Sequence, residues 1–449
     1  MTGSAALFAL AAAGVALALQ ISSGLYDEHA LALVSLATMA ALIAAFWRRR
    51  QAAPEDPGIT QAILGAGSAV GLACHLFTNP TFYADARAFQ GGFRWFALIA
   101  LVLLSAYLCP HLRASLNRAR FLLLLTCFAL MGIAVIRASP RPRIDVWVFQ
   151  QATADALLHG RNPYSISFPD IYRAQPGVVY APQLLRDGRV TAFPYTPLTV
   201  ITEVPAFAAF GDVRYALLAL MVGAYALLAL MVGAAWLLAR AAPGITGELA
   251  ACLILFQPRT LFVLEQTWSE PLVLFCFALA VYAISRAAHR ALTGAALGLL
   301  AASKQYSPFL LVPLAFAMQQ RRGLWVAAVV LAAVLGPFFV GDPAGFWRGV
   351  VEFQFLQPFR PDSLSLTALA VRLVGPAVLP VAVAGLILGA GVIGFCMRRH
   401  VGLPLACAAA AAAWAAVLIW NKQSFCNYWW LCSGLLGTAA TAPATRESA

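Results

Sequence analysis

The chain has 449 residues, of which 62% are hydrophobic and only 11% are charged, and its formal net charge is +12. Soluble domains carry about 25% charged residues, so this composition excludes an ordinary water-soluble core and indicates that lipid is the solvent. The positive charge does not indicate nucleic acid, because the arginines form short clusters between apolar runs rather than one basic face. We therefore expect an all-α polytopic membrane protein with about 12–14 transmembrane segments.

Five apolar runs begin the chain, and each predicts a membrane helix. They cover residues 4–21, 30–47, 59–77, 95–109 and 121–136. The first run is predicted to be a retained helix and not a signal peptide, because no A-x-A-like cleavage site follows it and a second run begins soon after. The first four runs would form an N-terminal membrane extension within residues 1–120.

Arginine clusters orient these helices. By the positive-inside rule, the clusters at 48–50 and 113–120 are cytoplasmic, so the amino terminus lies inside and the fifth helix ends outside. Clusters around 286–290, 321–322 and 398–400 orient the later helices independently. The predicted external stretches are 138–195, 265–270, 303–306, 342–363 and 421–428.

The two orientations disagree by one crossing between residues 195 and 246, where two apolar runs lie. We predict that 196–210 is an interfacial or re-entrant segment, because it is short and contains Pro197, Glu203 and Pro205. The external loop then extends over 138–211, and 214–239 spans the membrane. A tandem repeat, YALLALMVGA, fills 215–234 and is most simply a duplication within a lipid-facing helix.

Several common functional motifs are missing from the sequence. Its nine cysteines show no C-x-x-C spacing, which indicates neither a disulfide framework nor a zinc site. There is no P-loop, H-E-x-x-H, G-x-S-x-G or dinucleotide fingerprint. ATP-driven transport, zinc proteolysis and serine hydrolysis therefore have no support, and the tail at 441–449 is predicted to be disordered.

The external segment carries the leading catalytic candidate. Asp145 follows the fifth helix at the level where a cavity in the membrane would open outward, and a half-buried carboxylate there can act as a general base on a hydroxyl. The alternative is that Asp145 only caps the next helix. That helix is predicted to lie on the membrane surface, with Phe149, Ala152, Ala156 and Leu157 on one face, and to end at Gly160.

Two turn-forming aromatic motifs follow this helix. One contains Asn162 and Tyr164 in N-P-Y, and the other contains Tyr195 in F-P-Y-T-P. Rigid aromatic turns suit sugar stacking or a loop packed over a groove. The alternative is that they are ordinary aromatic residues at the membrane interface.

Lysine occurs at only two positions, Lys304 and Lys422, and each is followed by glutamine. Both lie on the predicted outer side, where an ammonium can contact a phosphate, although a lysine at a helix end can also extend toward water without a ligand. Further polar candidates on this side are Glu265, Gln266, Glu270, Gln305, Arg360, Asp362, Asn421, Gln423, Asn427 and Tyr428. Ionisable residues at membrane depth tend to face a cavity or each other.

A helix followed by Asp145, then a helix closing in G-R-N-P-Y, then F-P-Y-T-P, resembles the polyprenol-phosphate-mannose-dependent mannosyltransferases of glycosyltransferase family 87, which have the GT-C fold. Four later stretches resemble weaker blocks of that family: LEQTWSEP, SKQYSPFLLVP, FRPDSLSL and NKQSFCNYWW. The resemblance covers roughly residues 121–440, which would be a GT-C-like catalytic domain with a long external first loop.

The resemblance implies an inverting transfer of a hexose, mannose above all, from a polyprenyl-phosphate donor to a glycan or glycolipid acceptor. Asp145 would be the catalytic base, and Lys304, Arg360 and Lys422 would hold the donor phosphate in place of a metal. No cofactor is expected. The implied substrate-binding residues are Asn162, Tyr164, Tyr195, Glu265, Gln266, Gln305, Asp362, Gln423 and Tyr428.

The chain departs from the family pattern in two ways. Four hydrophobic segments, residues 4–109, precede the helix that matches the family's first, and the block that often reads G-Q reads Glu265-Gln266 here. The extra helices could be a docking module or a lipid-facing extension, and the glutamate could alter acceptor choice. The arginine-rich composition favours a GC-rich bacterial genome and hence the inner membrane.

Two other functions fit a membrane protein of this composition. A transporter or flippase of lipid-linked glycans should show broken helices near mid-membrane and polar residues on both faces of its cavity, whereas the charged candidates here lie at one face. A non-catalytic scaffold in envelope assembly has no positive support in the sequence.

Overall fold

The computed structural model describes residues 3–48, 57–85, 92–107, 119–174, 180–222, 234–241, 244–318, 322–397 and 401–442. These residues form an all-α bundle whose helices are built from nearly continuous apolar sequence. The first five helices are α1 Ser4–Ser22, α2 Glu28–Arg48, α3 Pro57–Phe77, α4 Gly92–Ser105 and α5 Ala119–Ala138. They coincide with the five predicted apolar runs.

The middle of the chain contributes shorter helices, several of which begin with proline at a first-turn position, where its missing N–H costs no hydrogen bond. They are α6 Asp145–Leu158, α7 Pro197–Phe210, α8 Arg214–Val222, α9 Ala234–Ala241, α10 Gly244–Phe256, α11 Thr260–Glu265, α12 Glu270–Ser285, α13 Arg290–Ser303 and α14 Pro308–Ala317.

The last third alternates long apolar helices with short ones. They are α15 Gly323–Gly341, α16 Pro343–Trp347, α17 Phe353–Leu356, α18 Leu366–Val374, α19 Ala382–Cys396, α20 Leu403–Trp420 and α21 Cys426–Thr441. A π-helical turn, Arg348–Glu352, joins α16 to α17. Three 3₁₀ turns lie at Pro163–Ser165, Pro182–Leu184 and Pro376–Val381.

Seven described helices are long and apolar enough to cross a membrane, or eight if one bent pair counts as a span. Five shorter apolar helices accompany them, so the expected 12–14 crossings would require the shorter helices to cross as well. Helix α15 supports a lipid environment directly, because Trp325 and Val340 are each 78% exposed. Apolar surface of this extent needs a non-aqueous neighbour.

The bent pair consists of α7 and α8, which meet at 112°. Such a pair is either a broken span or a re-entrant segment, so the re-entrant assignment of residues 196–210 stays a prediction. The predicted crossing at 214–239 and the second repeat copy lie largely outside the described residues, as do the tail from 443 and most of the arginine clusters (49–50, 113–118, 321 and 398–400).

The segment between α5 and α7 forms a small unit with its own core. A three-stranded antiparallel sheet has the order β1–β3–β2, with β1 Phe168–Pro169, β2 Leu185–Arg186 and β3 Arg189–Val190. Asp187 and Gly188 connect β2 to β3 with φ of 51° and 72°, as a tight hairpin requires. Helix α6 packs its apolar residues into this unit, where Phe149 lies 4.3 Å from Phe168 between ring centroids.

The two ends of the bundle differ in character. At one end, Arg48 Nε donates to Ser4 Oγ at 3.0 Å, which joins the end of α2 to the start of α1. At the opposite end, Leu25 after α1 forms a β-bridge with Ser363. The small unit between α5 and α7 and the cavity described below lie at the Leu25 end, away from Arg48.

Candidate active site

A cavity of about 410 Å³ lies at the Leu25 end of the bundle, within the range of about 300–1,000 Å³ that small-molecule sites occupy. Its walls come from segments far apart in the chain, including the loops after α1 and α3, the start of α6, and the starts of α17 and α21. Seven predicted site residues line it: Asp145, Tyr195, Gln266, Lys304, Arg360, Gln423 and Tyr428. Tertiary folding therefore brings the leading candidates together.

Asp145 is the first residue of α6, and its carboxylate is held by two phenols. Oδ2 accepts a hydrogen bond from Tyr180 at 2.5 Å, and Oδ1 accepts one from Tyr172 at 3.2 Å and one from the Val146 N–H at 2.8 Å. A carboxylate has about four acceptor positions, so one remains for a ligand hydroxyl. The N-cap of α6 is Ile144, so Asp145 is the first residue of the helix and not its N-cap.

The surroundings of Asp145 adjust its basicity in two directions. Burial raises the pKa of the Asp145 carboxyl above its ordinary value, while the hydrogen bonds from Tyr180, Val146 and Tyr172 oppose that rise. Burial and the neighbouring Asp145 charge also raise the pKa of Tyr180. Tyr180 therefore stays protonated at neutral pH and acts as a donor to the carboxylate.

Lys304 directly follows α13, and its ammonium lies in the cavity wall. Nζ donates to Glu270 Oε1 at 2.9 Å and to Ser269 Oγ at 2.6 Å, and it lies 4.9 Å from the ring centroid of Tyr195. An ammonium has three donors, so one remains for a ligand. The Lys304 side chain is only 9% exposed, and the Glu270 carboxylate is its ion-pair partner.

Arg360 supplies a second cation to the cavity. Its Nε and Nη2 donate to the two oxygens of Asp362 at 2.9 and 2.7 Å, a bidentate pair that fixes the guanidinium plane. Nη1 and one N–H of Nη2 are not used by Asp362. Arg360 can therefore contact an anion while Asp362 orients it from behind.

Glutamines form the remaining polar wall beside Arg360. Gln423 Nε2 donates to Gln357 Oε1 at 3.2 Å and to the Pro358 carbonyl at 2.7 Å. Gln354 Nε2 donates to the Pro194 carbonyl at 3.2 Å. These bonds connect the α17 segment to the start of α21 and to the F-P-Y-T-P turn.

The structure does not bring Lys422 to the cavity. Its ammonium donates to the carbonyls of Gln357 at 2.6 Å and Phe355 at 3.3 Å. These two carbonyls end α17, where the last carbonyls of a helix lack intrahelical partners. Lys422 therefore holds the cavity-lining segment in place, and of the three residues predicted to hold a phosphate only Lys304 and Arg360 line the cavity.

Three other predicted binding residues, Asn162, Tyr164 and Gln305, support the wall from behind. Asn162 Oδ1 accepts from the Tyr164 N–H at 3.1 Å, and its Nδ2 donates to the Phe338 carbonyl at 3.1 Å. The Tyr164 hydroxyl donates to the Tyr195 carbonyl at 2.7 Å, and Gln305 Nε2 donates to the Pro194 carbonyl at 2.9 Å. Packing of the loop therefore accounts for the N-P-Y turn, whereas the F-P-Y-T-P turn lines the cavity with Pro194 and Tyr195.

Glu265 is also outside the cavity lining, although Gln266 beside it is inside. Its carboxylate is fully buried and accepts hydrogen bonds from the backbone N–H groups of Phe82, Tyr83 and Ala84. The predicted substrate contact is therefore replaced by a contact within the protein, between the core and the loop after α3.

Tyr172 and Tyr180 are not among the predicted site residues. They lie 27 and 35 residues beyond Asp145, and no local spacing signal connects them to it. The small sheet returns this segment to α6, where the Tyr180 ring stacks on Phe149 at 6.4 Å between centroids. The sequence offered one indication of their role, the aromatic residues in an otherwise polar stretch that is predicted to be external.

The described residues thus define an all-α multi-pass membrane protein in which one cavity is lined by the Asp145 carboxyl group and the side chains of Lys304 and Arg360. Within that part of the chain, no three histidine, cysteine, aspartate or glutamate side chains are grouped as metal ligands would be. Comparisons of the chain with family models, curated proteins and solved structures found no match in any of the three. The resemblance to glycosyltransferase family 87 rests on the sequence motifs alone.

Proposed function

We propose that the protein is an inverting glycosyltransferase of the GT-C type, which transfers a hexose such as mannose from a polyprenyl-phosphate donor to a glycan or glycolipid acceptor. The observation that carries the proposal is that one cavity is lined by the Asp145 carboxylate together with Lys304 and Arg360. A transfer of this kind needs a base at the acceptor hydroxyl and positive charge at the leaving phosphate.

In the proposed reaction, Asp145 removes the proton of the acceptor hydroxyl as that oxygen attacks C1 of the donor sugar. The bond from C1 to the phosphate oxygen breaks, and its electron pair leaves with the polyprenyl phosphate. Attack from the face opposite the phosphate inverts the configuration at C1. Lys304 and Arg360, each with donors left over, offset the charge that grows on the phosphate.

We further propose that the cavity faces the exterior of a bacterial inner membrane. Arg48, at the end of α2, lies at the opposite end of the bundle from the cavity, and arginines concentrate on the cytoplasmic side of membrane proteins. Polyprenyl chains are apolar, so a donor would keep its chain in lipid and present its phosphate at the cavity.

The decisive experiment measures transfer of radiolabelled mannose from polyprenyl-phosphate mannose to endogenous acceptors in membranes that contain the wild type or Asp145→Asn. We expect labelling by the wild type and a loss of about 10²–10⁴-fold in the variant, as removal of a general base produces. Asp155→Asn is the matched control, because Asp155 lies on the same helix but is 45% exposed and pairs with Arg161. Equal labelling by Asp145→Asn and the wild type would refute the proposed base.

One feature favours the alternative, a transporter or flippase of lipid-linked glycans. Helices α7 and α8 are bent against each other by 112°, and broken helices are typical of transporters. Inside α7, the carboxylate of Glu203 is fully buried and has no hydrogen-bond partner among the described residues. Translocation of a fluorescent lipid-linked glycan by Asp145→Asn in proteoliposomes, with no sugar transfer by the wild type, would establish this alternative.

A further inference from the structure

The N-terminal extension reaches the cavity through both of its outer loops. The loop between α1 and α2 lines the cavity with Ser23 and Leu25, and the loop between α3 and α4 lines it with Phe82 and Tyr83. Two loops of the N-terminal extension are therefore part of the cavity wall. A lipid-facing extension alone would not supply these residues.

The first outer loop is fixed to the residues that orient Arg360. Leu25 forms a β-bridge with Ser363, and the Tyr26 N–H donates to the Asp362 carbonyl at 2.8 Å. Gly24 has φ of +78°, and a Cβ placed there would lie 2.3 Å from the backbone nitrogen of Cys426. Only glycine combines this backbone conformation with so close an approach, so the loop is seated directly on the start of α21.

The second outer loop is fixed by the Glu265 carboxylate. Oε2 accepts from the Phe82 N–H at 2.6 Å, and Oε1 accepts from the N–H groups of Tyr83 and Ala84, both at 2.9 Å. Three consecutive backbone donors around one anion form a nest. A glycine at this position, as the family often has, would leave the three N–H groups without this partner.

The two departures from the family pattern, the four extra helices and the glutamate at 265, are thus parts of one structural feature. The extra helices deliver a loop to the cavity, and the glutamate at residue 265 holds that loop by its backbone. Tyr83 continues the attachment, because its hydroxyl donates to the Arg143 carbonyl at 2.9 Å, two residues before Asp145. The loop therefore lies on the base side of the cavity, where an acceptor hydroxyl must be placed.

The aromatic rings on this side form a continuous group. The Phe82 ring lies 5.8 Å from Phe262, and Phe262 lies 5.3 Å from Trp268, between centroids. All three line the cavity together with Tyr83, and Phe82 remains 64% exposed. Flat apolar rings with open faces pack well against the C–H face of a pyranose, while nearby polar groups bind its hydroxyls.

Backbone strain supports a functional role for Trp268. Thr267 before it has φ of +61° although it is β-branched and fully buried. A β-branched residue in this region of φ is strained, and such residues cluster at ligand sites. The strained turn directs Trp268 toward the cavity beside Gln266.

We propose that Phe82 and Tyr83 of the extension, together with Phe262 and Trp268 of the core, form an aromatic subsite that binds a sugar ring of the acceptor. Calling this sugar the acceptor rests on the proposed function. Binding of a sugar ring does not, because the same subsite can bind a glycan that is not glycosylated. Glu265 is a positioning residue, which acts by holding the 82–84 backbone.

The test is saturation-transfer NMR on the full-length protein in lipid nanodiscs, with methyl α-mannoside, methyl α-glucoside and methyl α-galactoside as probes. We expect transfer to the ring C–H protons of at least one glycoside in the wild type. Phe82→Ala and Trp268→Ala should each weaken binding by about two- to tenfold, and Phe82→Trp should restore it. Phe77→Ala is the matched control, because Phe77 is 82% exposed on the adjacent end of α3 and does not line the cavity.

The role of Glu265 has a separate readout. Hydrogen exchange at the amides of residues 82–84 should accelerate at least tenfold in Glu265→Ala, with weaker glycoside binding. A structural role without a ligand would accelerate exchange but leave glycoside binding unchanged, and that result would overturn the positioning role.

The outcomes separate this inference from the proposed function. If the wild type binds glycosides through these rings but transfers no sugar, the subsite stands and the glycosyltransferase proposal fails. If sugar is transferred and the acceptor KM is unchanged in Phe82→Ala and Trp268→Ala, the glycosyltransferase proposal stands and the subsite is refuted. Absence of glycoside binding by the wild type also refutes the subsite.

Discussion

The hydroxyl of Tyr180 donates a hydrogen bond to Oδ2 of Asp145 at 2.5 Å, across 35 residues of chain. This bond fixes one oxygen of the carboxylate and lowers its pKa, against the rise that burial causes. The balance of the two effects sets the pH at which Asp145 becomes a base. The proposed roles can therefore be tested by substitutions at and around this carboxylate and the two cations, Lys304 and Arg360.

Tyr180→Phe should move the acid limb of the transfer rate to higher pH. Loss of this hydrogen bond removes a donor that favours the charged carboxylate, so the pKa of Asp145 rises further. The measurement is kcat/KM for sugar transfer as a function of pH. Tyr172→Phe is the matched control and should produce a smaller shift, because its hydrogen bond is 3.2 Å long; an unmoved acid limb in Tyr180→Phe would show that this bond does not tune the base.

The wild-type rate should rise with pH through a midpoint above about 3.9, the ordinary pKa of aspartate. Burial raises the Asp145 pKa, and below that pKa the protonated carboxyl cannot accept a proton from the acceptor. The rate is therefore lost as pH falls through the raised value. A pH titration of transfer checks this, and Asp145→Asn should show a low residual rate without that limb.

Lys304→Met should destabilise the protein strongly, by about 3–5 kcal/mol, because it leaves the Glu270 carboxylate buried and unpaired. The double variant Lys304→Met, Glu270→Gln removes both charges and should recover most of the stability. Thermal unfolding in detergent measures the first effect. If Lys304 contacts the donor phosphate, the double variant should remain unable to bind polyprenyl-phosphate mannose; normal donor binding by this stable variant would assign Lys304 a structural role only.

Gly71→Ala should destabilise the contact between the extension and the core by about 1–3 kcal/mol. Gly71 lies on α3, and a Cβ there would be 1.8 Å from the Phe256 carbonyl oxygen of α10. Gly65→Ala on the same helix is the control, since its Cβ would meet Leu249 at 3.9 Å, and alanine should stabilise that position by up to about 1 kcal/mol. Equal melting temperatures for the two variants would show that α3 can separate from α10 at little cost.

The helices that the sequence predicted best are those for which one strong signal, the length of an apolar run, is sufficient. Apolar length set α1 to α5, whose bounds agree with the five predicted runs, and the position of Asp145 after α5, at the start of α6, followed from the same pattern. The sequence also predicted in part that the polar residues expected on the outer side lie close together, because such residues at membrane depth face a cavity or each other. Asp145, Lys304 and Arg360 meet that expectation.

The roles of individual polar residues could not be predicted in the same way. Lys422 and Lys304 have the same sequence context, Lys-Gln, yet Lys422 binds helix-terminal carbonyls and Lys304 faces the cavity. Glu265 and Gln266 are adjacent, yet only the second lines the cavity. Which partner a polar group finds depends on the backbone that arrives from elsewhere, and that information is absent from local spacing.

The sequence by itself therefore determined that the chain is helical and multi-pass, because the apolar runs require lipid and lipid requires satisfied backbone groups. It also singled out an aspartate and a set of basic and amide residues. Only the tertiary structure decided that Tyr180 holds Asp145, that Glu265 holds the loop carrying Phe82, and that two loops between the first four helices line the cavity. The first two are contacts across 35 and 183 positions of the chain, and side chains at such separations meet only when the helices have packed.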